Sequence, residues 1–410
     1  MRPMRPYTFY VVDDDDFVRN LHVKLLTDSG HRVMSSRSSV AALAEIQENP
    51  PDCVITDIMM PQMDGFELVQ RLRKNPALEQ TRIVVASSKA FDFDRRRARD
   101  LGANGYLQKP VPAADFVRSL VAIIEDKLEL AYFGVRGTLP VPGERSTRYG
   151  GNTSCVTLRL QNDRLFILDA GSGIKRLSGQ LMAAKKRVTG KIFITHPHWD
   201  HINALPYFAP LYVQGNEFGI YGASHGDQTM QDLIAAQMDG VYFPITIREF
   251  AARVYFRDLR EETLMLDGLL VETMLLNHPG TCLGYRFTYE GRSVCYITDN
   301  ELYFEDMPQY DQHFVNRLTD FVRSTDVLII DTNYMDDVYR QRVGWGHSSI
   351  TPVCQLAAEA EVKQLHLFHH DPDQTDDDID RKLDLARDKL MELGSFVEVR
   401  APAEGSTVIL

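Results

Sequence analysis

Short apolar runs and amphipathic stretches alternate along the first 130 residues. The apolar runs, such as YTFYVV at 7–12, predict buried strands. Between them, apolar residues return at helical spacing, as Phe17, Leu21 and Leu25 do. The pattern predicts strands at 7–12, 31–35, 53–56, 83–87 and 106–108 and helices at 17–29, 38–48, 65–74, 91–101 and 113–129. Regular alternation of this kind predicts a doubly wound α/β fold with a five-stranded parallel sheet.

Strands dominate after residue 130. The pattern there predicts strands at 130–136, 154–160 and 164–169, a helix at 173–186 and a further strand at 191–195. The chain has 410 residues, which is enough for two or three domains. We therefore predict one domain at 1–130 and a second at 131–410.

Composition and charge narrow the class of protein. Hydrophobic residues make up 44% and charged residues 25%, which is typical of a folded globular chain. Lysine and arginine number 45 against 57 aspartates and glutamates, so the net charge is −12 and nucleic acid is a disfavoured partner. No apolar run reaches the roughly 18 residues of a membrane span, so no membrane association is expected. Five scattered cysteines without a C-x-x-C pair argue against disulfides and structural zinc, and we expect a cytoplasmic protein.

Acidic residues gather at the carboxyl ends of the first predicted strands. Asp13 and Asp14 follow the first strand, and Asp57 follows the third. The carboxyl ends of parallel strands meet at one sheet edge, so these carboxylates would repel one another unless a hard cation such as Mg²⁺ lies among them. Ser87 and Lys109 lie at the ends of two further strands. Their hydroxyl and ammonium groups are suited to holding phosphoryl oxygens.

These motifs resemble the receiver domain of two-component response regulators. The acidic pair lies in VVDDDD, Asp57 lies in VITDIMMPQMDG, and Lys109 lies in GANGYLQKP. The resemblance implies that Asp57 accepts a phosphoryl group from a histidine kinase or phosphotransfer protein, and that Asp13, Asp14 and Asp57 hold Mg²⁺. It assigns the switch roles to three residues, Ser87, Tyr106 and Lys109. The alternative is a degenerate receiver kept only for docking or dimerisation.

Two charged segments give a weaker indication of function than these motifs. The basic segment RRRAR at 95–99 is too short, in an acidic chain, to indicate nucleic-acid binding. It is either a solvated helix face or a partner for acidic residues across a receiver dimer, and we expect a homodimer. The acidic cluster DPDQTDDDID at 371–380 is interpreted as a solvated face.

The densest cluster of metal-ligand residues is HPHWDH at 196–201. His196 and His198 follow a predicted strand, and Asp200 and His201 open the next helix. Imidazoles with one carboxylate suit Zn²⁺ or a similar borderline ion. Four ligand-type residues are too many for one tetrahedral site that also keeps a water, so we predict a dinuclear site. Further ligands should lie at other strand ends, where the sequence places His278, Asp299, His369 and His370.

This arrangement resembles the metallo-β-lactamase superfamily, which implies an αββα sandwich. The resemblance assigns three ligands to one metal, His196, His198 and His278, and three to the other, Asp200, His201 and His369. Asp299 would bridge the pair, and Asp169 in FILDAGSG would support the ligand loop from behind. His369 is preferred to His370 because it comes first after the apolar strand. Two divalent transition metals are expected, zinc or alternatively manganese or iron.

Six segments together resemble the phosphodiesterase branch of that superfamily, namely RYGGNTSC at 148–155, ALPYFAPLY at 204–212, QMDGVYFP at 237–244, NHPGTCLGYR at 277–286, GWGHSS at 344–349 and LFHHDP at 367–372. Relatives there include phosphoribosyl cyclic phosphodiesterases and, more distantly, tRNA 3′-processing nucleases. The resemblance implies catalytic roles for Asp200, Asp299 and His347. The His347 imidazole would donate a proton to the leaving oxygen or bind a phosphate oxygen.

We therefore hypothesise a response regulator whose output is a dinuclear-metal phosphodiesterase. Phosphorylation of Asp57 would control hydrolysis of a small or cyclic phosphate ester, such as a cyclic nucleotide. One alternative is a lactone or thioester hydrolase at the same metals, and the other is a non-catalytic, metal-containing sensor module. A set of aromatic residues could stack a base or sugar, or form the core of a lid or dimer contact: Tyr207, Phe208, Tyr212, Tyr242 and Phe243.

Overall fold

The structure, a computed structural model, describes residues 6–88, 91–160 and 164–410. The chain divides into two compact units, Met1–Asp126 and Lys127–Leu410. The boundary predicted from the sequence was at residue 130. Within the described part of the chain, no helix is both long and apolar enough to cross a membrane. All five cysteines are buried free thiols.

The N-terminal unit is built on one parallel sheet. Its strands are β1 (Thr8–Val12), β2 (Arg32–Ser36), β3 (Cys53–Thr56), β4 (Arg82–Ser87) and β5 (Gly105–Gln108), in the order β2-β1-β3-β4-β5. Its helices are α1 (Asp16–Asp28), α2 (Ser39–Glu48), α3 (Gly65–Arg73), α4 (Asp92–Asp100) and α5 (Ala113–Ile124), with a 3₁₀ turn at Pro76–Leu78. The predicted doubly wound α/β fold is confirmed.

Successive residues of β1 fill two different cores. Tyr10 and Val12 point into a cluster with α2 and α3, whereas Phe9 and Val11 point into a cluster with α1 and α5. A strand buried on both faces needs apolar residues at every position, which explains why the first strand reads as an uninterrupted apolar run. Helix α5 was predicted at 113–129 but is shorter, because it ends at Ile124 before the polar residues at 125–127.

The C-terminal unit contains two seven-stranded sheets. The first has the order β11-β10-β9-β8-β7-β6-β19, and the second has the order β12-β13-β14-β15-β16-β17-β18. The strands of the first sheet are β6 (Glu129–Gly134), β7 (Cys155–Arg159), β8 (Leu165–Leu168), β9 (Thr189–Phe193), β10 (Glu217–Ala223), β11 (Arg253–Leu259) and β19 (Thr407–Ile409). Those of the second are β12 (Thr263–Leu266), β13 (Leu269–Leu275), β14 (Leu283–Tyr289), β15 (Arg292–Ile297), β16 (Val327–Asp331), β17 (Gln364–Phe368) and β18 (Glu398–Arg400).

The described residues of the C-terminal unit also form helices. They are α6 (Ile174–Ala183), α7 (Trp199–Ile202), α8 (Met230–Gln237), α9 (Gln312–Val322), α10 (Asp336–Tyr339), α11 (Ile350–Glu359) and α12 (Asp376–Glu392). Short 3₁₀ turns lie at Glu144–Ser146, Leu205–Tyr207, Ala209–Tyr212 and Ile247–Glu249. Along β9, Phe193 faces the second sheet and lies 5.4 Å from the Tyr285 ring, whereas Ile192 packs with α6 and α8 on the outer side. Helices α9, α11 and α12 cover the second sheet, so the predicted αββα sandwich is confirmed.

The strand ends of the second sheet determine where the polar residues go. β13 and β15 are each antiparallel to β14, and β15, β16 and β17 are parallel, so these four strands end at the same edge. His278, Asp299, Asp331 and His369 lie at or just beyond those ends. The loop after β9 brings its histidines to the same place from the first sheet.

The acidic cluster at 371–380 is only partly solvated, so its interpretation as a solvated face was wrong in part. Asp376, at the start of α12, is buried and accepts hydrogen bonds from the backbone N–H groups of Arg148 (2.7 Å) and Tyr149 (3.3 Å). It also lies 3.5 Å from the guanidinium of Arg136, which is fully buried. Carboxylates at a helix N-terminus are favourable for the helix dipole. Here they also fasten the 136–150 loop to α12.

Candidate metal centre

The HPHWDH segment turns sharply from β9 into α7. His198 has extended backbone angles and precedes the helix, so His196 and His198 lie on the loop while Asp200 and His201 lie in the first turn. His196, Asp200 and His201 are buried, and His198 is exposed. The tight turn brings four ligand-type side chains into one region, two in each of two ligand groups.

The first group of ligand atoms comes from His196, His198, His278 and Asp299, all within 4.8 Å of one another. His278 Nε2 lies 3.2 Å from His198 Nδ1. Oδ2 of Asp299 lies 3.5 Å from His196 Nε2 and 3.7 Å from His278 Nε2. Because His198 is exposed, this group opens to solvent.

The second group comes from Asp200, His201, Asp299 and His369, and all four are buried. Oδ1 of Asp299 lies 3.1 Å from His201 Nε2 and 3.0 Å from His369 Nε2. Asp200 Oδ2 lies 3.1 and 3.0 Å from the same two nitrogens. Asp299 thus turns one carboxylate oxygen toward each group, which is the geometry of a bridging ligand.

The expected protonation states of His196 and Asp299 fit metal binding. Burial lowers the pKa of His196 well below its usual range, and the neighbouring imidazole of His201 lowers it further. Burial alone would raise the pKa of Asp299, but the imidazoles of His201 and His369 hold it well below the usual carboxyl range. A neutral imidazole and an ionised carboxylate are the forms in which these side chains bind metals. Burial would lower the pKa of His201, but the carboxylates around it, Asp200 first, raise it well above its usual range, so a metal bound there would displace a proton.

Unpaired nitrogen atoms also fit a metal. The Nε2 atoms of His196 and His201 are buried and, although carboxylate oxygens lie 3.5 and 3.1 Å from them, make no hydrogen bond of normal geometry within the described residues. The other ring nitrogen of His201 lies 2.7 Å from Oδ2 of Asp169, which also accepts a hydrogen bond from the Tyr296 hydroxyl (3.0 Å). A histidine that donates through Nδ1 keeps its Nε2 lone pair for a metal. Asp169 lies behind the ligand loop, where it contacts His201 and the backbone N–H of Thr195.

The two adjacent histidines after β17 point to different places. His369 faces the second ligand group, with its backbone in the left-handed region (φ +58°). The side-chain amide nitrogen of Asn333 lies 3.3 Å from its Nδ1 atom and donates to its carbonyl oxygen. His370 turns away and meets the buried Lys382 ammonium at 3.2 Å. The structure therefore brings together all seven predicted ligand residues and leaves His370 out.

Asp331 is a site residue that sequence reasoning missed. It ends β16, and its Oδ2 atom lies 2.7 Å from Nδ1 of His347. Burial would lower the pKa of His347, but the Asp331 carboxylate, with Asp299 and Asp200 nearby, raises it to about 9. The signal was available, because the run VLIID ends in an acid at the sheet edge where Asp299 lies.

The N-terminal unit holds a second polar cluster. The Lys109 ammonium lies 2.7 Å from Oδ2 of Asp13 and 2.7 Å from Oδ1 of Asp57. Burial would lower the pKa of Lys109, but hydrogen bonds to the two carboxylates raise it. Asp14 is exposed at the same edge, and Ser87 is buried at the end of β4. Tyr106, on β5, is half-buried.

Comparisons with known families agree with this geometry. Residues 9–121 match the response regulator receiver domain, and residues 164–370, half of the chain, match the beta-lactamase superfamily domain. The chain belongs to the β-lactamase superfamily. Its N-terminal domain is a receiver, so the predicted fusion is confirmed.

Individual relatives match one domain or the other. The gliding motility regulatory protein of Myxococcus xanthus is 36% identical over 99 residues, which cover 24% of this chain and 13% of that protein. Protein PilG of Pseudomonas aeruginosa is 31% identical over 112 residues, 27% of this chain and 83% of PilG. The metallo-β-lactamase fold protein YhfI of Bacillus subtilis is 18% identical and covers 70% of this chain and 100% of its own, with a TM-score of 0.50. The last likeness is one of fold.

The five aromatic residues of the β-lactamase-superfamily domain do not form one group. Phe208 and Tyr212 pack into the domain, against Phe218 and Phe250 respectively. Tyr207 is exposed and meets the Phe243 ring edge-on at 5.2 Å. Tyr242 is exposed. Only some of them are therefore available to a ligand.

Part of the basic segment of the receiver packs on its own domain. The Arg97 guanidinium lies 4.5 Å from the Phe66 ring centroid, and that of Arg95 lies 5.7 Å from the Tyr106 ring. Arg95 also donates to the Gln108 side chain. These contacts give the segment a role within the receiver, and pairing across a dimer stays a prediction.

We expect Gly137→Ala to weaken metal binding by about 10- to 100-fold, because supporting contacts of metal ligands typically have effects of this size. A Cβ atom at Gly137 would lie 2.4 Å from Cε1 of His369, and the next residue, Thr138, donates its N–H to Asp200 Oδ2 (2.8 Å). Bound metal measured by mass spectrometry after graded chelation tests this. Gly179→Ala is the matched control, since a Cβ there meets nothing within 4 Å. Equal metal affinity in the two variants would contradict the expected role of the Gly137 contact.

Proposed function

We propose that the chain is a receiver-controlled, dinuclear-metal hydrolase of phosphodiesters. The observation that carries the proposal is the His347–Asp331 pair, 2.7 Å apart, beside both ligand groups. The His347 ring lies 5.4 Å from the His278 ring and 5.1 Å from the His369 ring, so it faces the first group and the second. A proton donor at that position serves a leaving alkoxide, which phosphodiester hydrolysis requires.

The metal ligands divide as the two groups do. His196, His198 and His278 would hold one divalent ion, Asp200, His201 and His369 would hold the second, and Asp299 would contact both. Two bound ions would supply a nucleophilic water near neutral pH and positive charge facing the phosphoryl oxygens. Zinc suits five imidazoles and two carboxylates, and manganese or iron are the alternatives.

The chain's own residues would orient the reacting groups. Asp331 holds the Nδ1 atom of His347, which fixes the ring and leaves Nε2 to face the substrate. Asp169 fixes His201 in the same way through its Nδ1 atom. Thr138 donates its backbone N–H to Asp200, which restrains that carboxylate from the far side.

The receiver would supply control. We propose that Asp57 accepts a phosphoryl group from a histidine kinase or phosphotransfer protein, with Mg²⁺ held by Asp13, Asp14 and Asp57. The Lys109 ammonium, already against Asp13 and Asp57, is placed to pair with phosphoryl oxygens. Ser87 and Tyr106 would report the change, and the output would be an altered rate of hydrolysis.

A substrate panel with metal content measured on the same sample tests the proposed activity. Bis-p-nitrophenyl phosphate and an alkyl phosphodiester represent the proposed class, and a lactone and a thioester represent the acyl alternative. Turnover of the phosphodiesters by protein holding two transition metals supports the proposal. Preference for the lactone or thioester would replace it with an acyl hydrolase, and two metals with no turnover would indicate a sensor module.

We expect His347→Ala to lower kcat/KM for an alkyl phosphodiester by about 100-fold or more, as loss of a general acid does. The loss should be smaller for a p-nitrophenyl ester, because p-nitrophenolate leaves without a proton. Metal content should stay at the wild-type value, since His347 is not among the proposed ligands. Asp331→Asn should show the same dependence on the leaving group. Equal losses for both esters would mean that His347 does not act as the acid.

A further inference from the structure

Both tryptophans of the chain lie inside the metal-site motifs and face outward. Trp199 lies between His198 and Asp200, and Trp345 lies in GWGHSS two residues before His347. Their exposed fractions are 71% and 56%. A large apolar ring left in water beside a reaction centre is available to a substrate.

The loop around Trp345 is held by a buried carboxylate. Glu301 accepts hydrogen bonds from the backbone N–H groups of Gly344 (2.7 Å) and Gly346 (2.8 Å), the residues on either side of Trp345. It also accepts one from the hydroxyl of Tyr339 (2.9 Å). Because both flanking N–H groups point inward to one carboxylate, the chain presents the Trp345 side chain outward in a fixed way.

The same loop touches the first ligand group. The carbonyl oxygen of Gly346 lies 2.9 Å from Nδ1 of His278. Gly346 has φ +83°, and a Cβ atom there would lie 2.3 Å from that nitrogen, so the loop lies directly against the ligand. Consecutive Cα atoms are about 3.8 Å apart, so Trp345 stands at the rim of the metal centre.

An arginine fixes one face of the Trp345 ring. The Arg342 guanidinium lies over the Trp345 ring, 4.6 Å from its centroid, and over the Tyr334 ring, 5.6 Å from its centroid. Such cation–π contacts hold an indole in one orientation. Over half of the Trp345 side chain remains exposed and can receive a second planar group.

We propose that Trp345 is a stacking platform that selects phosphodiesters carrying a planar ring, such as a nucleobase, and that Arg342 is its positioning residue. The proposal rests on the proposed phosphodiesterase function and names its substrate class. A base stacked on Trp345 would hold the ester beside His278 and His347, where the reacting phosphate belongs. Ring-free esters of the same phosphate chemistry would lack this contact.

A matched pair of substrates tests the platform. Adenosine 2′,3′-cyclic phosphate and methyl riboside 2,3-cyclic phosphate present the same reacting group with and without a base. We expect wild-type protein to prefer the nucleotide, and Trp345→Ala to lower the ratio of the two kcat/KM values by about 5- to 150-fold, the range of base–aromatic stacking. Trp345→Phe should keep part of the ratio, and Arg342→Met should lower it less than Trp345→Ala. Phe396→Ala, which removes another exposed aromatic ring, should leave it unchanged.

Equilibrium binding separates this inference from the proposed function. Adenosine 5′-monophosphate should quench tryptophan fluorescence in wild type and in Trp199→Phe but not in Trp345→Phe, and ribose 5-phosphate should quench none of them. If quenching depends on Trp345 in this way but no phosphodiester is hydrolysed, the proposed function is wrong and the stacking role of Trp345 is still supported. Quenching that persists in Trp345→Phe, or an unchanged substrate ratio in Trp345→Ala, would overturn the platform whatever the turnover.

Discussion

Replacing Asp299 with alanine is expected to abolish detectable hydrolysis, with kcat/KM lower by about 1,000-fold or more. Metal charge at a phosphoryl centre contributes several kcal/mol, and each 1.36 kcal/mol is about tenfold in rate. Asp299 is the only predicted ligand that faces both groups, with Oδ2 3.5 Å from His196 Nε2 and Oδ1 3.0 Å from His369 Nε2. Its loss leaves one carboxylate, Asp200, among the predicted ligands, beside five imidazoles. We therefore expect bound metal to fall below two ions per chain.

Asp299→Asn separates the charge of this residue from its shape. The amide occupies the same volume, so the fold should be kept while the metals are weakened. Metal content by mass spectrometry, kcat/KM and thermal unfolding should be measured on the same samples. Asp306→Asn, at an exposed acid that lies 3.6 Å from Arg340, is the matched control. Wild-type turnover by Asp299→Ala with two metals bound would rule out the bridging role.

Replacing Asp57 with asparagine is expected to remove phosphoryl transfer to the chain altogether. Asp57 follows the buried end of β3, its Oδ1 lies 2.7 Å from the Lys109 ammonium, and its Oδ2 accepts the Met59 N–H at 2.6 Å. An amide is a poor nucleophile and lacks the charge that holds Mg²⁺. Labelling from acetyl phosphate, followed by intact mass, should modify the wild type and leave Asp57→Asn unmodified. Asp28→Asn, at the exposed end of α1, should label normally.

A separate measurement tests whether the state of Asp57 controls the proposed hydrolysis. Beryllofluoride with Mg²⁺ mimics the phosphorylated aspartate and should change kcat/KM in wild type but not in Asp57→Asn. The direction of the change tells whether phosphorylation activates or inhibits. Labelling at Asp57 with no change in kcat/KM would mean that the receiver does not control the hydrolase. Labelling that persists in Asp57→Asn would move the phosphorylation site elsewhere.

Strand ends explain how much of the candidate site could be predicted from sequence. A polar residue directly after an apolar run lies at a sheet edge, and this rule located Asp57, Asp299 and His369. The structure places His369, the first of the two histidines after β17, at the ligand groups and turns His370 away, and metal binding by His369 stays a prediction. Asp331 follows the same rule and was overlooked, since no second ligand-type residue accompanies it in the sequence.

Contacts between distant segments could not be predicted in this way. Glu301 accepts hydrogen bonds from the N–H groups of Gly344 and Gly346, more than forty residues away in the chain. Every residue except proline has a backbone N–H, so residue type does not show which of them will be such a donor. Asp376 likewise pairs with Arg136 and Arg148 across more than 200 residues. The acidic cluster at 371–380 was interpreted as a solvated face because a run of like charges usually is one. The sequence pattern contains no information about a partner on another helix or loop.

Strand β6 has a mechanical consequence. Its start is clamped to the chain terminus by two hydrogen bonds between Leu128 and Leu410, and it pairs with β7 on one side and β19 on the other. Two ladders prevent it from sliding alone. Ten residues further along the chain, Thr138 contacts the Asp200 carboxylate. β6 ends at Gly134 and Thr138 follows four residues later, so a displacement of β6 would be passed through this short segment to Thr138 and from there to the Asp200 carboxylate.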